Sequence, residues 1–285
     1  MVKVVFFGLG AVGSVMACCL YELSEKDNDK IRFIFVVRDK EKAKRYLFRA
    51  PHILKKSEFL VVKDFKLIFQ NPEYYAKHLN NSSIFINASI PNFNIQILKL
   101  AIKFKACYTD MASEYTSKAI NFPQENFHER LENAGLFGLI NNGVSPGLTN
   151  FLVGEKLKNM KQLKILKNVE AINLYLLENM ESEQTVFSWS PEVALEELES
   201  KPIYIQNNKL VMVEPFSHSL IYEFSHFRGS MVQYPINQEE VISLHKSFPQ
   251  IKSIKISTGG SEIELIKNLF QLNLLSKKNI ECVKK

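Results

Sequence analysis

The residues with the clearest chemical meaning are three glycines near the amino terminus. Gly8, Gly10 and Gly13 have the spacing GxGxxG, between the apolar run Val2–Phe7 and a helical pattern over 11–21. In a strand–turn–helix unit the first glycine permits a tight turn, the second lets the backbone approach a pyrophosphate, and the third lets helix and strand pack closely. The helix terminus adds free N–H groups and a positive dipole end. The residues predicted to hold a dinucleotide here are Gly8, Gly10, Ala11, Val12 and Gly13.

Two other interpretations of this segment are weaker. The lysine of an ATPase-type phosphate loop is absent, because Ser14 stands in its place. The uncharged stretch between Lys3 and Glu22 and the sequence VMAC (15–18) resemble a lipoprotein leader. The glycines would interrupt its apolar region, however, and Val2–Phe7 suits a buried parallel strand. We therefore expect a cytoplasmic protein that begins with a strand.

The end of the second predicted strand, Ile31–Val37, indicates which cofactor is preferred. An acidic residue there binds the ribose 2′-hydroxyl of NAD, whereas an arginine accommodates the 2′-phosphate of NADP. Arg38 follows the strand, with Lys40, Lys42 and Lys44 after it. Arg38 therefore predicts NADP(H) in preference to NAD(H). The alternative is that Arg38 begins a helix over 40–48 in solvent and that Asp39 binds the ribose.

Strands and helices alternate through residue 140, which predicts an α/β fold with a Rossmann-type, doubly wound parallel sheet. The remaining strands predicted in this half are 57–64, 65–69, 83–88, 105–109 and 136–140. The helices predicted between them are 72–79, 93–104 and 127–133. Ligands of such sheets bind at the carboxyl ends of the strands, so we expect Gly8, Arg38 and the segments 87–91, 108–110 and 141–147 to border one crevice.

From about residue 150 the pattern changes to a mixed sheet with flanking helices, including a hairpin at Asn207-Asn208. The sequence therefore predicts two domains: an NADP-binding domain over 1–147, and an α+β domain over 148–285 for substrate binding and dimerisation. The composition is that of an ordinary globular chain, with 46% hydrophobic residues and a net charge of +6. We expect no nucleic-acid or membrane partner. Four scattered cysteines and six histidines predict neither disulfides nor a metal site.

Five segments in order resemble the saccharopine dehydrogenase superfamily over nearly the whole chain. They are the glycine turn with Arg38, IFINASIP (84–91), YTD (108–110), NGVSPGLTN (142–150) and FSWSPE (187–192). The FSWSP string is similar to saccharopine reductases, whereas the layout after residue 200 is at least as similar to carboxynorspermidine dehydrogenases. The resemblance implies a homodimer in lysine or polyamine metabolism that transfers hydride between NAD(P)H and a C=N bond formed from an amine and a carbonyl compound.

The resemblance also suggests roles for individual residues. Asp110, with Tyr108 beside it, is the candidate acid that protonates the imine. The alternatives are that Asp110 caps a following helix and that Tyr108 is a half-buried strand-end aromatic residue. Asn87, Ala88 and Ser89 are expected to line the nicotinamide side of the cofactor. The expected substrate contacts are Asn142, Ser145, Trp189 and Arg228, although loop or core roles are alternatives for all four.

The sequence departs from the family pattern at three places. Ser145 replaces the aspartate of the family's DPG, arginines of saccharopine reductases are missing after Tyr234, and the chain ends at Lys285, soon after its last predicted helix. We therefore expect a short second domain and a substrate other than saccharopine. Two alternatives stay open: a dinucleotide-binding protein without turnover, and an enzyme that uses NAD transiently, as homospermidine synthases do.

Overall fold

The computed structural model describes residues 2–113, 121–178, 191–225 and 229–275. The chain divides into two compact units, Met1–Thr149 and Asn150–Lys285. The predicted domain boundary at 147/148 lies beside this division.

The described part of the first unit forms a six-stranded parallel sheet in the order β3-β2-β1-β4-β5-β6. Its strands are β1 (Val2–Phe7), β2 (Ile31–Val37), β3 (Ser57–Val61), β4 (Ile84–Asn87), β5 (Cys107–Asp110) and β6 (Gly138–Leu139). This order is that of a dinucleotide-binding sheet, in which the chain reverses direction across the sheet between β1 and β4. The predicted α/β fold class is confirmed.

Apolar side chains that alternate between the two faces of the sheet hold this unit together. Phe6, Phe33 and Phe35 point into one core, and Phe7 and Phe85 point into the other. All five residues are fully buried. Because both faces are covered, the strands are nearly continuous apolar runs, as their sequences predicted.

The helices of the first unit run between the strands of the sheet. They are α1 (Ala11–Lys26), α2 (Lys40–Tyr46), α3 (Pro51–Lys55), α4 (Lys66–Gln70), α5 (Ala76–Leu79), α6 (Asn94–Lys103) and α7 (His128–Asn133), with 3₁₀ turns at Pro72–Tyr75, Pro91–Phe93 and Pro123–Phe127.

One predicted element of this unit is wrong. Residues 65–69 were expected to form a strand, but Lys66–Gln70 is helical. The Asp64 carboxylate accepts a hydrogen bond of 2.9 Å from the Lys66 amide and begins this turn. Phe65 and Ile68 are three residues apart, so a helical turn brings both into the core, whereas a strand would place them on opposite faces.

The second unit contains a mixed sheet, as predicted. Its elements are α8 (Leu148–Gln162), β7 (Ala171–Leu177), α9 (Pro191–Glu199), β8 (Ile203–Gln206), β9 (Lys209–Met212), β10 (Leu220–Glu223), β11 (Ser230–Pro235), α10 (Glu240–Ser247), β12 (Ser253–Gly259) and α11 (Ser261–Gln271). Strand β12 pairs in parallel with β7 and antiparallel with β8 and β11. The β8–β9 hairpin turns at Asn207 and Asn208, which have positive φ angles of 51° and 60°.

Within the described residues, none of the helices has the length and apolar character needed to cross a bilayer.

A cluster of acidic residues surrounds Glu197 on α9. Burial, followed by the charges of Glu239, Glu178 and Glu240, raises the pKa of Glu197 to about 8. The Gln238 amide donates one hydrogen bond to Glu197, at 3.4 Å, which opposes this rise only weakly. At neutral pH the folded state therefore holds a proton on Glu197 that an unfolded chain would release.

We expect the free energy of unfolding to fall as the pH rises from about 5 to about 8, because the folded state binds this proton more tightly than the unfolded state does. Glu197→Gln should remove part of the fall, so that the variant is more stable than the wild type near pH 8 and similar to it near pH 5. Urea unfolding at both pH values measures the effect. Glu196→Gln, at an exposed neighbouring position on α9, is the matched control, and an equal change in both variants would contradict the assignment.

Candidate functional site

The turn between β1 and α1 is shaped by close contact with the turn after β4. Gly8 has a φ angle of +99°, and a Cβ atom at this position would lie 2.7 Å from the Ala88 carbonyl oxygen. A Cβ atom at position 13 would lie 3.1 Å from the Ala88 Cβ atom, which is a tight contact. The approach of the Ala88 backbone and the positive φ angle therefore require glycine at position 8, whereas at position 13 a side chain would need Ala88 to shift by a few tenths of an ångström.

Gly10 differs from the other two glycines, because a Cβ atom there would meet no atom within 4 Å. It is also the N-cap of α1, where no side chain caps the helix and the first turn contains no acidic residue. Ala11 and Val12 are exposed beside it. An uncapped helix terminus next to open space is suited to an anionic group such as a pyrophosphate. These residues fit a dinucleotide.

The end of β2 presents Arg38 to solvent. The adjacent Asp39 is the N-cap of α2, and its carboxylate accepts a hydrogen bond of 2.9 Å from the Lys42 amide. Of the other basic residues, Lys44 pairs with Glu41 at 2.8 Å, and the Lys40 ammonium lies 5.8 Å from the centre of the Phe59 ring. Within the described part of the chain, no carboxylate pairs with Arg38, whose side chain is exposed.

The carboxyl ends of β1, β4 and β5 lie side by side. Phe7 pairs with Asn87, and Asn87 pairs with Asp110, so that Gly8 and these two polar residues lie along one edge of the sheet. Gly8, Asn87 and Asp110 are therefore neighbours, although their side chains differ in burial and in their hydrogen-bond partners.

Asn87 is turned inward, with 3% of the residue exposed. Its Nδ2 donates to the Ile90 carbonyl at 3.0 Å and to Asn94 Oδ1 at 2.6 Å, and its Oδ1 accepts from the Ser89 amide and hydroxyl at 3.0 and 2.6 Å. The Asn87 side chain thus shapes the turn. Of the other two predicted residues, Ser89 is exposed, whereas Ala88 is half-buried and packs against the core beside Gly13.

Asp110 and Tyr108 are also interior residues, 1% and 0% exposed. Asp110 Oδ2 accepts from the Tyr108 hydroxyl at 2.8 Å and from Gln124 Nε2 at 3.0 Å, and Oδ1 accepts from the Asn141 amide at 2.8 Å. Burial raises the pKa of Asp110, and these donors partly offset the rise. Burial and the Asp110 charge raise the pKa of Tyr108.

This placement bears on the predicted role of Asp110 as an acid. A proton donor must come within hydrogen-bond reach of its substrate, and both carboxylate oxygens of Asp110 are occupied by protein donors. The alternative that Asp110 caps a following helix gains no support either, because its carboxylate accepts hydrogen bonds from Gln124 and Asn141. Proton transfer by Asp110 or Tyr108 stays a prediction, which the burial of both residues disfavours.

The loop after β6 is held by Asp110. Besides the Asn141 contact, the Asn142 amide donates to the Asp110 carbonyl at 2.9 Å. The Gly143 amide then donates to the Pro146 carbonyl at 2.8 Å and closes a tight turn. Asn142 is exposed and Ser145 is half-buried in this turn. Trp189 and Arg228, the other two predicted substrate contacts, lie outside the described residues.

The sequence analysis missed two buried polar residues at this edge, Asn94 and Gln124, which are 3% and 4% exposed, and it named Asn141, which is 9% exposed, only as part of the crevice segment 141–147. Asn94 joins the β4 turn to the segment after β5, and Gln124 joins Asp110 to Ser113. The available signal was weak, since each is an amide residue in or beside an apolar segment. Their partners come from distant parts of the chain.

The surroundings of Gly8 and Gly10 predict losses of stability of different size for the same substitution. Gly8→Ala places a side chain in the left-handed region and against the Ala88 carbonyl, so it should cost about 1–3 kcal/mol of stability. Gly10→Ala points into open space and should cost less than about 1 kcal/mol, the difference between these residues as helix caps. Thermal unfolding of both variants tests the prediction, and an equal loss in the two would contradict it.

Comparison with known proteins agrees with this geometry. The saccharopine dehydrogenase NADP binding domain family matches residues 4–139. A carboxynorspermidine synthase from Vibrio alginolyticus is 24% identical over 171 residues, which cover 58% of this chain and 40% of that protein. The chain thus spans less than half the length of this relative.

Two solved structures share the fold over nearly the whole chain. Apo saccharopine dehydrogenase (L-Glu forming) from Saccharomyces cerevisiae superposes with a TM-score of 0.70 and 18% identity over 99% of this chain and 60% of that one. Homospermidine synthase from Legionella pneumophila, in complex with NAD, gives a TM-score of 0.72 and 14% identity over 98% and 70%. Residues 4–139 thus match a nicotinamide dinucleotide-binding domain of the saccharopine dehydrogenase kind, and the chain is similar in sequence or fold to three proteins of that kind.

Proposed function

We propose that this protein is an NADP(H)-linked oxidoreductase that reduces an imine, or oxidises the corresponding secondary amine. The observation that carries the proposal is the uncapped terminus of α1, open beside Gly10, together with an exposed Arg38 at the end of β2. Such a pairing offers hydrogen-bond donors to a pyrophosphate and a guanidinium to a 2′-phosphate.

The cofactor would supply the hydride, and the chain would bind and orient it. The backbone amides at the start of α1 would hold the pyrophosphate, with Gly10 allowing the close approach. The adenosine half would extend toward Arg38 over β2, since Asp39 is occupied as the cap of α2. The nicotinamide half would then lie beside the turn 88–91 and the ends of β5 and β6.

The class of substrate is inferred from the relatives. Saccharopine, homospermidine and carboxynorspermidine are all secondary amines, whose C–N bond is made by hydride transfer to an imine. We propose that Asn142 and Ser145, on the loop after β6, contact the substrate, and Trp189 and Arg228 stay predictions. Because Asp110 is buried and both its carboxylate oxygens accept hydrogen bonds from protein donors, we propose that it orients this loop, while another group donates the proton.

The preference for NADP(H) can be tested at Arg38. Arg38→Ala should weaken NADPH binding about 10- to 100-fold, the loss of a charge-assisted contact worth about 1.5–3 kcal/mol, and leave NADH binding unchanged. Titration followed by nicotinamide fluorescence measures both constants. Arg45→Ala, at an exposed arginine in the last turn of α2, is the matched control. Equal loss for both cofactors would mean that Arg38 does not contact the 2′-phosphate.

The reaction class is tested by turnover. We expect the full chain to oxidise NADPH when a diamine or an amino acid is supplied with an aldehyde or oxo acid, and each amine without its carbonyl partner is the control. Product formation without net NADPH oxidation would instead indicate transient use of the cofactor, and binding without either would indicate a dinucleotide-binding protein.

A further inference from the structure

Asn94, the first residue of α6, is buried at the edge of the sheet where β1, β4 and β5 end, which we call the cofactor edge. Only 3% of it is exposed. Its Oδ1 accepts a hydrogen bond of 2.6 Å from Asn87 Nδ2, and its Nδ2 donates to the Ala112 carbonyl at 2.8 Å. One side chain therefore joins the end of β4 to the segment that follows β5.

The Asn87 amide has no hydrogen-bonding capacity left over. Its two N–H groups go to the Ile90 carbonyl and Asn94 Oδ1, and its oxygen accepts both Ser89 donors. An amide carries two donors and two acceptor positions, so all four are used. Asn94 provides one of these four partners, and it is the one that links the Asn87 side chain to α6 and, through Ala112, to the segment after β5.

Asn87 in turn determines where Ala88 and Ser89 lie against the glycine turn. The Ala88 amide donates to the Phe7 carbonyl at 3.0 Å, and the Ala88 carbonyl and Ser89 Cβ adjoin the position of Gly8. The Ala88 carbonyl occupies space that a side chain would take at position 8, since a Cβ atom there would lie 2.7 Å from its oxygen, so the turn after β4 lies directly beside the Gly8 backbone. Asn94 thus acts on the outward surface of the turn without reaching that surface itself.

We propose that Asn94 is a positioning residue for the nicotinamide half of the bound dinucleotide, acting through Asn87 and the turn 88–91. The inference rests on the proposed function. It goes further in assigning the geometry of one half of the cofactor site to a buried residue that would touch neither cofactor nor substrate. The adenosine half lies on the other side of the sheet reversal, at Arg38, and does not depend on Asn94.

The experiment separates the two halves of the ligand. NADPH and 2′,5′-ADP, which lacks the nicotinamide, are titrated against the full chain by calorimetry. Asn94→Ala should raise the Kd of NADPH about 10-fold, through the loss of buried hydrogen bonds, and change that of 2′,5′-ADP by less than about twofold. A merely structural role would weaken both ligands together. Asn92→Ala, at an exposed position in the neighbouring turn, is the control and should change neither.

A second variant keeps the test decisive if the alanine variant does not fold. Asn94→Asp preserves the acceptor toward Asn87, loses the donor toward Ala112, and suits the first turn of a helix. Its Kd for NADPH should rise about threefold, with 2′,5′-ADP again unaffected. Unchanged NADPH binding in both variants, or equal losses for the two ligands, would overturn the proposal. A wild-type chain that binds neither ligand would instead refute the proposed function itself.

Discussion

The contact of Ala88 with two glycines is the constraint on which the cofactor edge depends. A carbonyl group and a methyl group after β4 approach the backbone at Gly8 and Gly13 so closely that a further carbon atom has no room at position 8 and only a tight fit at position 13. This contact fixes the turn after β1 against the turn after β4, at the place where the strand order reverses. Gly10, between them, faces open space, so the same three-glycine turn provides both a rigid base and an accessible surface.

Hydrogen bonds among buried amide and carboxylate side chains hold the strand ends next to that contact. Asn87, Asn94, Asp110 and Gln124 are each no more than 4% exposed, yet their side chains bond to one another or to backbone groups. A buried polar group without a partner costs roughly 1–3 kcal/mol, so such a network favours a single arrangement of the strand ends. The loop after β6 belongs to the same arrangement, because the Asn141 and Asn142 amides bond to Asp110.

A buried carboxylate in the first unit and a half-buried one in the second lie in contrasting electrostatic environments. Asp110 in the first unit receives three protein donors, whereas Glu197 in the second receives one long hydrogen bond and lies among three other carboxylates. Burial raises the pKa of both groups, but only Glu197 is also raised by neighbouring charges of the same sign. Asp110 therefore holds the loop after β6 in place, whereas Glu197 keeps its carboxyl proton near neutral pH.

Much of the fold follows from the sequence. The apolar runs Val2–Phe7 and Ile31–Val37 form strands with the predicted bounds, since residues buried on both faces leave a continuous signal. The glycine spacing and Arg38 likewise indicated a dinucleotide site, because a turn and its following helix are local features. The one misassigned element, Lys66–Gln70, is too short for its periodicity to separate a helical turn from a strand.

The tertiary structure decided which polar residues face outward and which support them. Asn87 and Asp110 were expected to face a ligand, and both are turned inward to partners at Asn94, Gln124 and Asn141. Nothing local in the sequence distinguishes these roles, because an amide or a carboxylate at a strand end can serve either. For Asp110 the choice depends on Gln124 and Asn141, which lie 14 and 31 residues away and which only folding brings within hydrogen-bond distance. For Asn87 it depends on how the following turn and the start of α6 fold back on the strand end.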